Sequence, residues 1–229
     1  MKAVILAGGL GRRLRPLTDN TPKPLLKISA KPIIVWQIEW LKRHGIDEIV
    51  ICAGYLREKI IRELGNGCKY NVKIGYVVED TPLGTGGAIK NAEIFLRNEE
   101  GFYVLNGDIL TDLNPKRLRD IGKKYVGAIA LVQLKSPYGI VETRGDEIVR
   151  FREKPVIEEY WINAGIYYFK PEIFKYLPER GDIEKETFPK LAEKGLLKAV
   201  KYENIFWKSV DTHKDLQEAE KYMGVNRYG

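Results

Sequence analysis

The sequence predicts an α/β fold, a doubly wound and mainly parallel sheet with a small β-rich region attached. Three observations lead there. Apolar runs of strand length alternate with amphipathic stretches through the first half of the chain. Glycine-containing loops follow several of those runs. In the second half the pattern changes to short strands separated by turn signals.

Residues 4–7 are a continuous apolar run, the mark of a strand buried on both faces. A Pro- and Lys-rich loop follows, and Pro32 stands near a helix start. Ile33, Trp36, Gln37, Trp40 and Leu41 keep helical spacing up to Gly45, with Lys42, Arg43 and His44 in the last turn. Residues 49–53 read as a second strand, 56–64 as a second helix ended by Gly65, and 72–78 as a third strand. A third helix is expected at 88–97 and a fourth strand at 102–105. This β-α-β-α-β-α-β order implies right-handed crossovers, with ligands at the carboxyl ends of the strands. Further strands are expected at 128–134, 139–142, 148–151 and 162–169, divided by turns at Ser136-Pro137 and Arg144-Gly145-Asp146. Helices at 171–177 and 185–193, strands at 197–202 and 205–210, and a helix beginning near Thr212 complete the chain. No long linker, repeat or low-complexity tract interrupts it, so 1–229 reads as one domain with two functional halves, 1–110 and 111–229.

At 229 residues, a folded chain buries roughly 70% of its unfolded surface, so no staples are needed. Two cysteines, Cys52 and Cys68, make neither a disulfide framework nor a zinc site and fit a reducing cytoplasm. The N-terminal apolar run is too short for a signal peptide or a membrane span. The net charge of +7 favours acidic partners, nucleic acid or small phosphorylated ligands. No long basic block interleaves with aromatics, so nucleic acid is not an expected partner. The two histidines, His44 and His213, do not cluster and read as surface residues.

Five motifs carry chemistry. In the first, Leu6 and Ala7 lead into Gly8, Gly9 and Gly11, crowded by Arg12, Arg13 and Arg15 and followed by Pro22-Lys23-Pro24. The glycines let backbone N–H groups approach an anion, and Lys23 is a cation on a stiffened loop. No Gly-Lys-Ser/Thr closes the loop, so it is no Walker A, and Leu14 stands where a dinucleotide fingerprint needs its third glycine. The second motif, 79–88, places Glu79 before Gly84, Gly86 and Gly87. The third ends an apolar strand on Gly107-Asp108, where a carboxylate suits Mg²⁺ or caps a turn, as Asp112 could too. The fourth set is Gly139, Glu153-Lys154-Pro155, and Asn163-Ala164-Gly165; singly each is ordinary. The fifth, Trp207-Lys-Ser-Val-Asp211-Thr212, ends a strand on a carboxylate that could also be the N-cap of the last helix.

The first motif resembles the signature of the sugar-phosphate nucleotidylyltransferases, and the resemblance extends over nearly the whole chain. It implies an enzyme that joins a nucleoside triphosphate to a sugar 1-phosphate with Mg²⁺, in which 1–110 mainly binds the nucleotide and 111–229 the sugar phosphate. It implies that the loop wraps the triphosphate, that Arg13 holds the β/γ-phosphates and that Lys23 reaches the reacting centre. Arg12 departs from the family, which often has Thr or Ser there. The Gly84 loop would line the base and sugar pocket, Gly139, Glu153, Asn163 and Gly165 would address the sugar, and Lys154 its phosphate. Asp108 matches a metal ligand. Many relatives place the second metal Asp where Ser209 stands; the ending around Asp211 resembles glucose-1-phosphate cytidylyltransferases instead, which assigns that role to Asp211. No membrane partner is implied, and homo-oligomerisation is left open.

Pro82 to Ala88 is most like the guanylyltransferase branch. A carboxylate at Glu79 only accepts hydrogen bonds, and guanine offers two adjacent donors, so GTP is the expected nucleotide donor, and the resemblance to that branch implies mannose 1-phosphate as its partner. The alternatives are dTTP, UTP or CTP with glucose 1-phosphate or a related sugar, and an inactive family member serving as a regulatory or scaffold domain.

Overall fold

The computed structural model describes residues 1–225. Strand β1, Lys2–Ala7, lies inside the sheet; Ala3, Ile5 and Ala7 face one core and Val4 the other. Strands β2 (Glu48–Ala53), β3 (Lys73–Val78), β4 (Phe102–Asn106), β5 (Gly127–Lys135), β6 (Val156–Phe169) and β7 (Leu197–Tyr202) complete a seven-stranded sheet. Its order is β3-β2-β1-β4-β6-β5-β7. The pairs β1–β2, β2–β3, β1–β4 and β5–β7 are parallel, and β6 runs antiparallel to both β4 and β5. The α/β class is therefore as the sequence predicts, with a mixed, mostly parallel central sheet.

The second half departs in detail. Strands β5, β6 and β7 extend the central sheet, and Ile140–Arg144 and Glu147–Arg152 pair as a hairpin outside it. Ile109–Thr111 pairs with Trp207–Ser209, the remnant of the strand expected at 205–210.

Helix α1, Ile33–Arg43, buries Ile34, Ile38 and Leu41 on the sheet and stops before Gly45, as its periodicity requires. Helix α2 spans Arg57–Leu64. Helix α3, Gly84–Asn91, starts at Gly84, ahead of the expected 88, and a separate turn, Glu93–Leu96, follows it. The segment expected at 171–177 is a 3₁₀ turn, Pro171–Lys175, and 185–193 splits into Ile183–Glu186 and Phe188–Glu193. Pro189 lacks the N–H that a continuous helix would need there. The last helix is His213–Val225.

Strands β2 and β3 lie on one side of β1, and β4 on the other. The chain direction of the sheet order reverses there, so the loops after β1 and β4 open into the crevice where such sheets hold ligands. No described helix is long and apolar enough to cross a membrane.

Candidate active site

The loop after β1 turns at Gly11, whose φ of +60° is costly for any other residue. A Cβ there would also come within 2.9 Å of Thr18 Cγ2. Thr18 Oγ1 donates to the Gly11 carbonyl at 2.9 Å and pins the return. A short 3₁₀ turn, Arg12–Leu14, then buries Leu14 and leaves Arg12 and Arg13 exposed. Lys23 begins a second such turn between Pro22 and the buried Pro24.

From that position Lys23 Nζ donates to Asp108 Oδ2 at 2.5 Å and to Asp211 Oδ1 at 2.8 Å. The same Asp211 oxygen receives Arg13 Nη2 at 2.7 Å, and Ser209 Oγ donates to Asp211 Oδ2 at 2.7 Å. Burial opposes ionisation of Asp211, but the hydrogen bonds from Lys23 and Ser209 and the charges of Lys23 and Arg13 outweigh it. They hold its carboxyl below the usual aspartate range.

The N-cap alternative for Asp211 is corrected by the structure. Thr212 and Asp215 cap the last helix reciprocally: the Asp215 carboxylate accepts from the Thr212 N–H at 2.8 Å, and the Asp215 N–H donates to Thr212 Oγ1 at 3.3 Å. Asp211 is thereby free to face Lys23. Asp112 is committed elsewhere, its Oδ1 accepting from the Phe206 N–H at 2.9 Å.

Leu6, Ala7, Gly9, Gly11, Arg12 and Arg13 line a cavity of about 260 Å³ together with Lys23, Asp108 and Asp211. Among the described residues no three His, Cys, Asp or Glu side chains gather as a metal cage. Two carboxylates converging on one cation nonetheless fit Mg²⁺, which commonly takes one or two carboxylates and fills its octahedron with phosphate oxygens and water.

The other candidates sit apart from this cluster. Glu79 Oε2 accepts from the Leu83 N–H at 3.1 Å, while Oε1 lies where a Cβ on Gly8 would be, 1.9 Å from that ideal position. Burial raises its pKa, and the Leu83 bond offsets part of that. Gly84, at φ +76°, opens α3 against Gly181. Gly139 lies beside Phe151 and Glu153, and Glu153 pairs with Lys154 at 3.1 Å in the exposed bend just past the hairpin. Lys154, at φ +45°, lines a second cavity of about 730 Å³ with Ile162, Trp207 and Thr212. Consecutive residues, Asp211 and Thr212, line the two cavities. Asn163 is bound internally: Nδ2 donates to the Tyr167 hydroxyl at 2.8 Å and Oδ1 accepts from the Gly165 N–H at 2.9 Å. His44 and His213 are exposed, as expected.

Sequence reasoning did not single out Tyr167 and Gln37. Tyr167 is fully buried, with Asn163 and Glu184 at its hydroxyl. Gln37 carried a visible signal, an amide inside the apolar stripe of α1.

Residues 2–224 match the sequence profile of the family described as Nucleotidyl transferase. The chain is 40% identical over 226 residues to a mannose-1-phosphate guanyltransferase of Aspergillus fumigatus, an alignment covering 94% of this chain and 62% of that protein. It is 38% identical to the mannose-1-phosphate guanylyltransferase catalytic subunit beta of Danio rerio, with the same coverage of each. The chain thus spans about three-fifths of these relatives. The crystal structure of HddC from Yersinia pseudotuberculosis complexed with GMP-PN superposes with a TM-score of 0.78 at 28% identity, covering 97% of this chain and 99% of that one.

Proposed function

The chain belongs to the nucleotidyl transferase family, the sugar-1-phosphate nucleotidylyltransferases, and on that premise we propose that it makes a nucleotide-sugar and pyrophosphate from GTP and mannose 1-phosphate. The observation that supports this best is the cluster of Lys23, Asp108 and Asp211 beside the glycine loop, at the reversal point of the sheet. Such a cluster supplies the charge arrangement that phosphoryl chemistry requires.

A non-bridging oxygen of the sugar 1-phosphate attacks the α-phosphorus of the nucleotide. The bond from that phosphorus to the β-phosphate oxygen breaks opposite, and pyrophosphate leaves. The attacking oxygen is already anionic at neutral pH, so no general base is needed. Arg13 binds the outer phosphates, while Lys23, fixed by its prolines, faces the charge that develops at the reacting phosphate. Bound between Asp108 and Asp211, Mg²⁺ would add Lewis-acid charge neutralisation. Lys154, just past the hairpin, takes the sugar phosphate, with Glu153 beside it for the hydroxyls, while Asn163 supports this region through Tyr167 and the Gly165 N–H.

Glu79 supports guanine. It sits half-buried against the Gly8 loop, where its acceptor-only carboxylate matches the N1–H and 2-amino donors. A uracil or thymine carbonyl facing it would leave two acceptors opposed, at a cost of about 1–3 kcal/mol. The identities with two mannose-1-phosphate guanylyltransferases point the same way. The test is kcat/KM, from pyrophosphate release, for GTP, CTP, UTP, dTTP and ATP with mannose or glucose 1-phosphate. GTP should lead, and Glu79→Gln should erode that lead. A preference for dTTP or UTP, or guanine selectivity unchanged in Glu79→Gln, would contradict the proposal.

A further inference from the structure

Asp108 sits on a two-residue turn, Gly107-Asp108, between Asn106, the last residue of β4, and Ile109. The Gly107 N–H donates to the Leu6 carbonyl at 2.9 Å, and the Asp108 carbonyl accepts from the Val210 N–H at 2.9 Å. A Cβ on Gly107 would lie 2.4 Å from the Leu6 oxygen, so the turn is pressed onto β1. Both flanking carbonyls are taken by one side chain. Gln37 Nε2, from α1, donates to Asn106 O at 2.8 Å and to Ile109 O at 2.9 Å.

Gln37 is 3% exposed and otherwise surrounded by the apolar stripe of α1. Its Oε1 has no partner among the described residues, so the amide is held there for its two N–H groups alone. Two carbonyls converging on one nitrogen also fix which end of the amide points inward. A buried polar side chain that leaves one of its own atoms unsatisfied is costly. An apolar residue would fill the stripe without that cost.

We propose that Gln37 is a positioning residue for Asp108: it ties both ends of the 107–108 turn to α1 and so fixes the carboxylate for the divalent cation. The inference rests on the reading of Asp108 as a metal ligand given above. Outer partners of this kind typically change metal affinity by about 10- to 100-fold when removed.

The test is calorimetric titration of Mn²⁺ into the protein saturated with a non-hydrolysable GTP analogue, for wild type, Gln37→Met, Gln37→Glu, Asp108→Asn and Gln37→Met/Asp108→Asn. Gln37→Met keeps the length of the side chain and removes both donors. It should weaken Mn²⁺ by roughly 10- to 100-fold while analogue affinity without metal stays at the wild-type value. On the Asp108→Asn background the same change should add nothing, which a general loss of stability would not produce. Full Mn²⁺ affinity in Gln37→Met beside a weakened Asp108→Asn would overturn the role of Gln37 alone. Unchanged affinity in Asp108→Asn would instead overturn the metal assignment. Hydrogen exchange on the wild-type protein covers the case in which Gln37→Met does not fold. The Gly107 and Val210 amides, bonded to the Leu6 and Asp108 carbonyls, should be protected before any ligand is added; protection that arises only with metal and nucleotide would show that the turn is not set in advance and would overturn the proposal.

Discussion

The cavity after β1 and the hairpin at 140–152 are built on opposite plans. Around the cavity, Arg13, Lys23, Asp108 and Asp211 bind one another, and Ser209 and Gln37 hold the groups behind them. On the hairpin and its flanks, Tyr138, Ile148 and Phe151 are 76%, 67% and 61% exposed, and the Glu153–Lys154 pair lies in solvent. The contrast follows from the work proposed for each. Charge stabilisation at a reacting phosphate is effective when dipoles and ions are already oriented, because no reorganisation is needed during the reaction. Sugar recognition tolerates side chains that settle on the substrate as it binds.

If that difference is real, removing parts of the cavity should depress turnover, while changes on the hairpin should touch sugar binding alone. The largest effect is expected for Lys23→Met, about 10²- to 10³-fold in kcat, measured as pyrophosphate release at saturating substrates. The same variant tests the electrostatics. Asp211 is held below its ordinary pKa, so its stabilising contribution is complete above the unfolded value of about 3.9 and is lost as pH falls through the lower folded value. Without Lys23 that folded value should rise, and thermal stability should depend less steeply on pH on the acid side. An unchanged acid limb would mean that Lys23 is not what holds Asp211 ionised.

Arg13→Ala should cost roughly 2–3 kcal/mol, about a hundredfold in kcat/KM for the nucleotide, with folding unaffected. Near-normal turnover of the soluble variant would remove Arg13 from the triphosphate site. Asp211→Asn should raise the Mg²⁺ concentration for half-maximal rate by about tenfold or more, and Ser209→Ala should do so less, since Ser209 only donates to that carboxylate. The reverse ranking would transfer the second-ligand role to position 209. Smallest is Lys154→Ala, expected to raise KM for the sugar phosphate by about tenfold, the value of one charge-assisted bond, and to leave KM for GTP alone. A matching rise in the GTP value would erase the division between the two regions.

The cavity was legible in the sequence and much of its setting was not, for physical reasons. Gly-Gly-x-Gly followed by Pro-Lys-Pro constrains the backbone so strongly that local composition already marks a candidate anion loop, and both segments line one cavity with Asp108 and Asp211. The start of α3 was hidden because Gly84, Gly86 and Gly87 are poor helix formers. They are tolerated because the helix packs closely on the 178–181 loop: a Cβ at Gly86 would meet Pro178 at 2.9 Å, and one at Gly87 the Glu179 carbonyl at 2.7 Å. The first part of β6, residues 156–161, was missed because Glu158 and Glu159 break the apolar pattern, while its pairing with β5 is set by tertiary register and bulges. Gln37 looked like one more position of an amphipathic helix, and only the tertiary structure shows the two carbonyls that it serves.

The most direct measurement follows the α-phosphorus itself. GTP labelled at that atom is mixed with mannose 1-phosphate, Mg²⁺ and the protein, and the products are separated. Attack at the α-phosphorus predicts that all transferred label appears in GDP-mannose, matched one to one by unlabelled pyrophosphate, and that the signal falls by about 10²- to 10³-fold in Lys23→Met. Label released as GMP, GDP without attached sugar, or no transfer with any sugar 1-phosphate would contradict it.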